Sequence, residues 1–182
     1  MRGRKRRREP TPLDKSRLDE LALAYVGRFA TTRAKLGAYL SRKIRERGWA
    51  GEGAPNLEAV VERLASLGYV DDAEYALSKA RSLTSRGYGP RRVNQSLHQA
   101  GIGDEDGEAA RALAAGESVE AALRFARRRR IGPFAAGIAD PKERQRILAA
   151  MIRAGHGFEI SKAIVSLRPG EEVDVALLEE KL

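Results

Sequence analysis

The sequence predicts an all-α protein in which one unit of three short helices is used three times, and three observations predict it. First, a helix stop recurs. In a Schellman stop a glycine sits at C′ and the residue after it touches the side chain at C3. Ile44, Gly48 and Trp49 have this spacing, as do Leu97, Gly101 and Ile102, and again Met151, Gly155 and His156. Second, the three glycines lie about 53 residues apart, and each follows an apolar residue eight positions earlier: Leu40, Val93 and Ile147. That period lies in the range of helical repeats. Third, apolar residues make up 42% of the chain but aromatics only 5%. An alanine-rich chain of this kind suits closely packed helices better than a sheet core.

The chain is organised around the stretch Arg86-Gly87-Tyr88-Gly89-Pro90-Arg91-Arg92, which reads as a hinge opening a short helix. Two glycines make a helix through 87–89 costly, and Pro90 disfavours the α conformation for Gly89. Pro90 itself suits the first helical turn. Val93 and Leu97 then share one face, and Gly101 stops the helix.

In chain order, residues 1–13 are expected to be a disordered basic arm, with Arg2, Arg4, Lys5, Arg6, Arg7 and Arg8 before Pro10 and Pro12. Such a run has no face to bury and reads either as a non-specific contact with DNA or as an inert tail. The first repeat is expected over residues 14–70. Leu18, Leu21, Tyr25 and Phe29 step along one helical face, with Ala22 and Val26 beside them. Thr31 or Thr32 caps a second helix through Leu36, Leu40 and Ile44 to Gly48. Asn56 caps a third, with Leu57, Val60, Val61, Leu64 and Leu67 on one side, stopped at Gly68 with Tyr69 after it.

The second repeat, 71–116, opens on Asp71 and Asp72, whose charges suit a helix start. Its third helix, from Asp104 to Ala115, offers Ala109, Ala110 and Leu113 but is interrupted by Gly107. The third repeat, 117–168, lines its first helix with Val119, Ala122, Leu123 and Ala126 and ends it in Arg127–Arg130. Asp140-Pro141-Lys142-Glu143 is a compact helix start. The helix it opens carries Ile147, Leu148, Met151 and Ile152, and the last carries Phe158, Ile160, Ile164 and Leu167. Residues 169–182 form an acidic extension with Val173, Ala176 and Leu177 as a short apolar stripe, fit either to dock on the last bundle or to cover a basic surface.

Composition narrows the function. The net charge is +9, which favours polyanionic partners such as nucleic acid or acidic proteins. There is no cysteine, so no disulfide, thiolate metal site or cysteine nucleophile exists. No apolar run approaches the ~20 residues of a membrane span, and the charged N-terminus has no apolar segment behind it. A soluble, cytoplasmic protein is expected. The carboxylates form no recognisable acid–base pair, and Gly101-Ile102-Gly103 lacks the lysine and strand of a phosphate-binding loop. His98 and His156 are expected to be surface or capping residues. The sequence therefore points to no enzyme activity, no metal and no cofactor.

Several runs together resemble the RecX regulatory proteins: Leu67-Gly68-Tyr69-Val70-Asp71-Asp72 with Tyr75-Ala76, Arg86-Gly87-Tyr88-Gly89-Pro90, and Leu97-His98-Gln99-Ala100-Gly101-Ile102. So do Asp140-Pro141-Lys142-Glu143-Arg144-Gln145 and Met151-Ile152-Arg153-Ala154-Gly155-His156-Gly157-Phe158. The resemblance covers Leu18 to Leu167, and Gly103 and Gly107 depart from it. It implies three tandem three-helix bundles in an elongated, curved arrangement. It also implies a monomeric regulator that binds RecA protein and the RecA–DNA filament in DNA repair, recombination and control of the SOS response. Such a regulator restrains filament extension, ATP hydrolysis and strand exchange, and its direct binding to single- or double-stranded DNA would be weak and non-specific.

The candidate partner- or DNA-binding residues are Arg86, Arg91, Arg92, Arg127, Arg128, Arg129 and Arg130. Arg91 and Arg92 stand in a first helical turn, where cations oppose the helix dipole. Arg127–Arg130 end a helix, where cations are locally favoured. Gly48, Gly68, Gly87, Tyr88, Gly89, Pro90, Gly101 and Gly155 are read as hinge and caps that fix interhelix angles, and Trp49 as a cap contact to Ile44. A second reading is a sequence-specific DNA-binding regulator, since helix-turn-helix-like units can present a helix to the major groove.

Overall fold

A computed structural model of the chain describes residues 11–180, which contain ten α-helices, a 3-10 turn at Gly132–Phe134 and one isolated backbone bridge. None of these helices is long and apolar enough to cross a membrane. The basic residues placed in the arm from Arg2 to Arg8, with Pro10, lie outside the described residues. The chain divides into two compact units, the first ending at Asp72 and the second starting at Ala73.

The first unit holds α1 (Lys15–Val26), α2 (Arg33–Arg47) and α3 (Leu57–Ser66). Each begins at a side chain that accepts a hydrogen bond from an otherwise orphaned amide: Asp14 from Arg17, Thr32 from Lys35, Asn56 from Ala59. The core joins Leu18, Ala22, Leu36, Leu40, Val60, Val61 and Leu64. Fully burying a leucine such as Leu36 stabilises by roughly 1.5–3 kcal/mol. Asp72, 5% exposed, turns a carboxylate oxygen onto the first amide of α2, accepting from Arg33 N–H at 2.9 Å. A negative charge at that end complements the helix dipole.

Four readings are corrected in this unit. Leu13, assigned to the basic arm, is fully buried in the core and pairs with the Gly48–Ala50 backbone as a parallel bridge. That bridge changes the stop at Gly48: it has φ 83° but ψ 167°, so the chain leaves extended toward Leu13 instead of curling into a Schellman turn. Trp49 therefore lies half-buried on the core and donates its indole N–H to the Gly53 carbonyl at 2.8 Å. Phe29 is 56% exposed and Leu67 64% exposed, because α1 ends at Val26 and α3 at Ser66 before the periodicity reaches them.

The second unit holds α4 (Asp72–Ser85) from Ala73 onward, α5 (Pro90–Gln99), α6 (Asp104–Gly116), α7 (Ser118–Arg129), α8 (Pro141–Arg153), α9 (Phe158–Ser166) and α10 (Val175–Glu179). It has two apolar cores. One joins Ala76, Ala80, Leu83, Val93, Leu97, Ile102, Ala110 and Ala114. Gly107 does not interrupt α6. It is buried, and Arg111 folds over it to donate to the carbonyls of Gly103 and Asp104. The inward face of α6 is Ala110 and Ala114 with half-buried Leu113 beside them, while Ala109 is exposed.

The other core joins Val119, Ala122, Phe125, Ala126, Ile131, Met151, Ile160 and Ile164 with Leu178 from α10. Asp140 caps α8 by accepting from Glu143 N–H at 2.8 Å, with Pro141 in the first turn. Ile152 and Phe158 stand at the surface. The acidic extension docks on this core, yet through Leu178 and half-buried Val173. Leu177 is 55% exposed, because α10 starts at the Asp174 cap and sets a different face inward.

Candidate functional site

The Arg86–Arg92 stretch is a junction where two helix ends meet inside the second unit. Gly87, at φ 79°, stops α4 in a full Schellman pattern: its N–H donates to the Thr84 carbonyl and that of Tyr88 to Leu83. Gly155, at φ 96°, stops α8 in the same way, with His156 N–H donating to the Met151 carbonyl. The amides of Gly89 and Arg91 then donate to the carbonyls of Ala154 and Gly155 at 3.0 and 3.1 Å. The start of α5 and the end of α8 thus satisfy each other's orphaned groups.

No side chain fits between them. A methyl group on Gly89 would lie 2.4 Å from the Gly155 oxygen, and one on Gly155 would lie 2.4 Å from the Arg92 nitrogen. Tyr88 packs, half-buried, on both apolar cores. Of the two places the sequence reading allows His156, surface or cap, it takes the cap, and it is buried there. Its ring meets Phe125 edge-on at 5.5 Å, and Nε2 lies 3.1 Å from the Gly87 carbonyl. Burial pushes its pKa down, with the Gly87 hydrogen bond opposing. Pro90 opens α5. Gly68 and Gly101 end α3 and α5 in Schellman patterns of their own.

The seven candidate arginines are all exposed. Among the described residues none has a carboxylate within 4.0 Å, whereas Arg17, Arg33, Arg42, Arg63, Arg111 and Arg124 all do. The structure brings two of the seven together: Arg128 of α7 donates to the Arg86 carbonyl, and the Arg86 guanidinium lies 5.6 Å from the Tyr88 ring. Arg127 lies over Phe134 at 4.9 Å, and Arg129 near Phe125 at 5.8 Å. Arg130 occupies the left-handed region at φ 53° and ψ 55°, where glycine is the usual occupant.

Arg91 and Arg92 need a revised account. Their positions do oppose the dipole of α5, but the carbonyl end of α8 abuts the same turn. The two helix ends carry opposite partial charges, so the local penalty is largely offset. Arg92 also donates to Gln95 at 2.8 Å.

Sequence reasoning missed a set of cations on α8. Lys142, Arg146 and Arg153 share one face and, with Arg129, line a groove between α7 and α8. The spacing was available: at 100° per residue these three fall within about 40° of one another.

Comparisons with known proteins follow this geometry. A family model described as the second three-helix domain of RecX matches residues 71–110. The regulatory protein RecX of Myxococcus xanthus is 35% identical over 176 residues, covering 92% of each chain. The chain belongs to the RecX family. The regulatory protein RecX of Agrobacterium fabrum is 29% identical, over 92% of this chain and 91% of its own. The helical-repeat fold recurs in the crystal structure of RecX from Lactobacillus salivarius, with a TM-score of 0.58 at 20% identity over 82% of this chain and 93% of that one. The family's relatives are thus named as regulatory proteins, and the junction described above falls partly within the matched domain.

Proposed function

We propose that the chain binds RecA protein and the RecA nucleoprotein filament and restrains ATP hydrolysis, filament extension and strand exchange, acting as a non-enzymatic, cytoplasmic monomer. The observation that carries this reading is a set of seven exposed arginines, none with a carboxylate within 4.0 Å among the described residues, of which Arg86, Arg91 and Arg92 stand at the tightly bonded junction and Arg128 reaches it through the Arg86 carbonyl. A guanidinium held ready, without an internal carboxylate, is available to pair in bidentate fashion with a partner's carboxylates or phosphates. A protein-coated DNA filament displays both. The division into repeats at residues 14–70, 71–116 and 117–168 belongs to the same proposal, since each repeat would contribute its own exposed faces to a long contact.

The mechanism follows from stiffness. A chain lying across successive RecA subunits hinders their rearrangement only if its own helices resist displacement. The Gly89–Ala154 and Arg91–Gly155 hydrogen bonds supply that resistance within the second unit.

The test is the rate of ATP turnover by RecA on single-stranded DNA, with the chain titrated in. Inhibition at substoichiometric or stoichiometric ratios is expected, with loss of that inhibition in the Arg91→Glu, Arg92→Glu double variant. Unchanged turnover at every ratio would overturn the reading. Binding to particular duplex sequences without RecA would instead support a DNA-binding regulator.

A further inference from the structure

We propose that the groove between α7 and α8 is a track for the phosphodiester backbone of a nucleic acid, separate from the Arg86–Arg92 junction and sharing only Arg129 with the arginines proposed to meet RecA. Its wall is the face of α8 that carries Lys142, Arg146 and Arg153, and Arg129 at the end of α7 also lines it. Among the described residues, none of these four cations forms an ion pair. The rise of a helix puts Lys142 and Arg146 about 6 Å apart along the axis and Arg146 and Arg153 about 10 Å apart. The cations therefore run as a line along the groove.

The floor between them is small. Ala149 and Ala150 separate Arg146 from Arg153, so a backbone can approach the helix closely. Glu143 is the one carboxylate in the lining, against four cations.

These features favour a phosphate backbone over an acidic protein. Protein interfaces depend on buried aromatic or arginine anchors seated in well-packed pockets, and this groove is open, with alanines and half-buried Ile147 at its base. A line of cations with no anchor suits a ligand whose affinity comes from released counterions and carries no sequence information.

The experiment is fluorescence anisotropy of a labelled oligothymidylate, and separately of a labelled duplex, with the full chain and no RecA, across a salt series. The triple variant Lys142→Gln, Arg146→Gln, Arg153→Gln is expected to weaken binding on the order of tenfold, and to flatten the log–log salt dependence for the single strand by about two units, roughly 0.7 for each lost contact. Ala149→Glu, which leaves every cation in place, is expected to weaken binding as well. A control triple, Arg28→Gln, Arg45→Gln, Arg81→Gln, removes the same charge elsewhere and is expected to do less. Loss of affinity for either nucleic acid form, beyond the control, supports the track. Equal effects of the two triples overturn it, as does unchanged oligonucleotide binding alongside lost binding to DNA-free RecA.

Discussion

His156 Nε2 lies 3.1 Å from the carbonyl oxygen of Gly87, tying the end of α8 to the turn that leads into α5. A carbonyl only accepts, so Nε2 carries the hydrogen in either charge state, and it is burial, against the pull of this hydrogen bond, that favours the neutral ring. The ring is 1% exposed, and its burial holds the pKa below the ordinary histidine value. The junction therefore depends on a neutral imidazole.

A pH dependence of stability follows, and its sign is fixed. With the folded pKa below the unfolded one, the unfolded chain takes up the proton first as pH falls past about 6.5. The contribution is complete above that pH and is lost as pH falls toward the folded value. Thermal melts between pH 7.5 and 5.5 are expected to show a falling midpoint, with a slope from this group of up to about 1.4 kcal/mol per pH unit. In His156→Gln, which retains an amide donor, that part of the slope should vanish. Equal slopes in both proteins would show that His156 does not carry it.

The glycines of the junction should be far less replaceable than Gly116 in the same unit. Gly155→Ala puts a methyl against the Arg92 backbone at φ 96°. Left-handed geometry alone costs roughly 1–2 kcal/mol, and the clash adds to it, so a loss of more than about 2 kcal/mol is expected in denaturant titrations. Gly116→Ala is the contrast. Nothing lies within 4 Å of that position, and alanine in the last turn of α6 should gain a few tenths to about 1 kcal/mol.

What the sequence made legible, and what it hid, can be told from these same residues. Gly101 and Gly155 were readable as stops because a C-cap is local: five or six consecutive residues make every hydrogen bond in it. Gly48 looked identical, but its exit is decided by Leu13, which lies 35 positions earlier and bonds to the Gly48 carbonyl. The burial of His156 was hidden for a similar reason, since its partners Gly87 and Phe125 come from other helices. Conversely, the cation line on α8 needed only helical spacing and was there to be read. Local hydrogen bonding is visible in sequence, whereas the identity of a tertiary neighbour is not.

Arg130 offers a test of strain. It takes the C′ position of a Schellman stop, its N–H donating to the Arg127 carbonyl and that of Ile131 to Ala126. Its φ of 53° makes it the one described residue other than glycine in the left-handed region. Arg130→Gly should relieve roughly 1–2 kcal/mol of strain while returning part of it as unfolded-chain entropy. A net gain of about 0.5–1 kcal/mol is expected by chemical denaturation. Arg130→Ala keeps the strained geometry and should show no such gain. Should Arg130→Gly also weaken inhibition of RecA, the strain would be the cost of presenting a guanidinium to the partner.

The Arg91→Glu, Arg92→Glu variant separates fold from function most cleanly. Judged on α5 alone, two carboxylates in its first turn would stabilise by about 0.3–1 kcal/mol each. The end of α8 reverses that expectation in part, because the Ala154 and Gly155 carbonyls already occupy the same space and repel negative charge. The two effects oppose one another, so the melting midpoint should move by no more than the equivalent of about 1 kcal/mol in either direction. Inhibition of ATP turnover should nonetheless fall severalfold, since charge reversal replaces two exposed guanidiniums with groups that repel carboxylates and phosphates alike. A large loss of stability would mean that the arginines serve the junction itself. Intact inhibition with an unchanged midpoint would mean that the partner docks elsewhere on the chain.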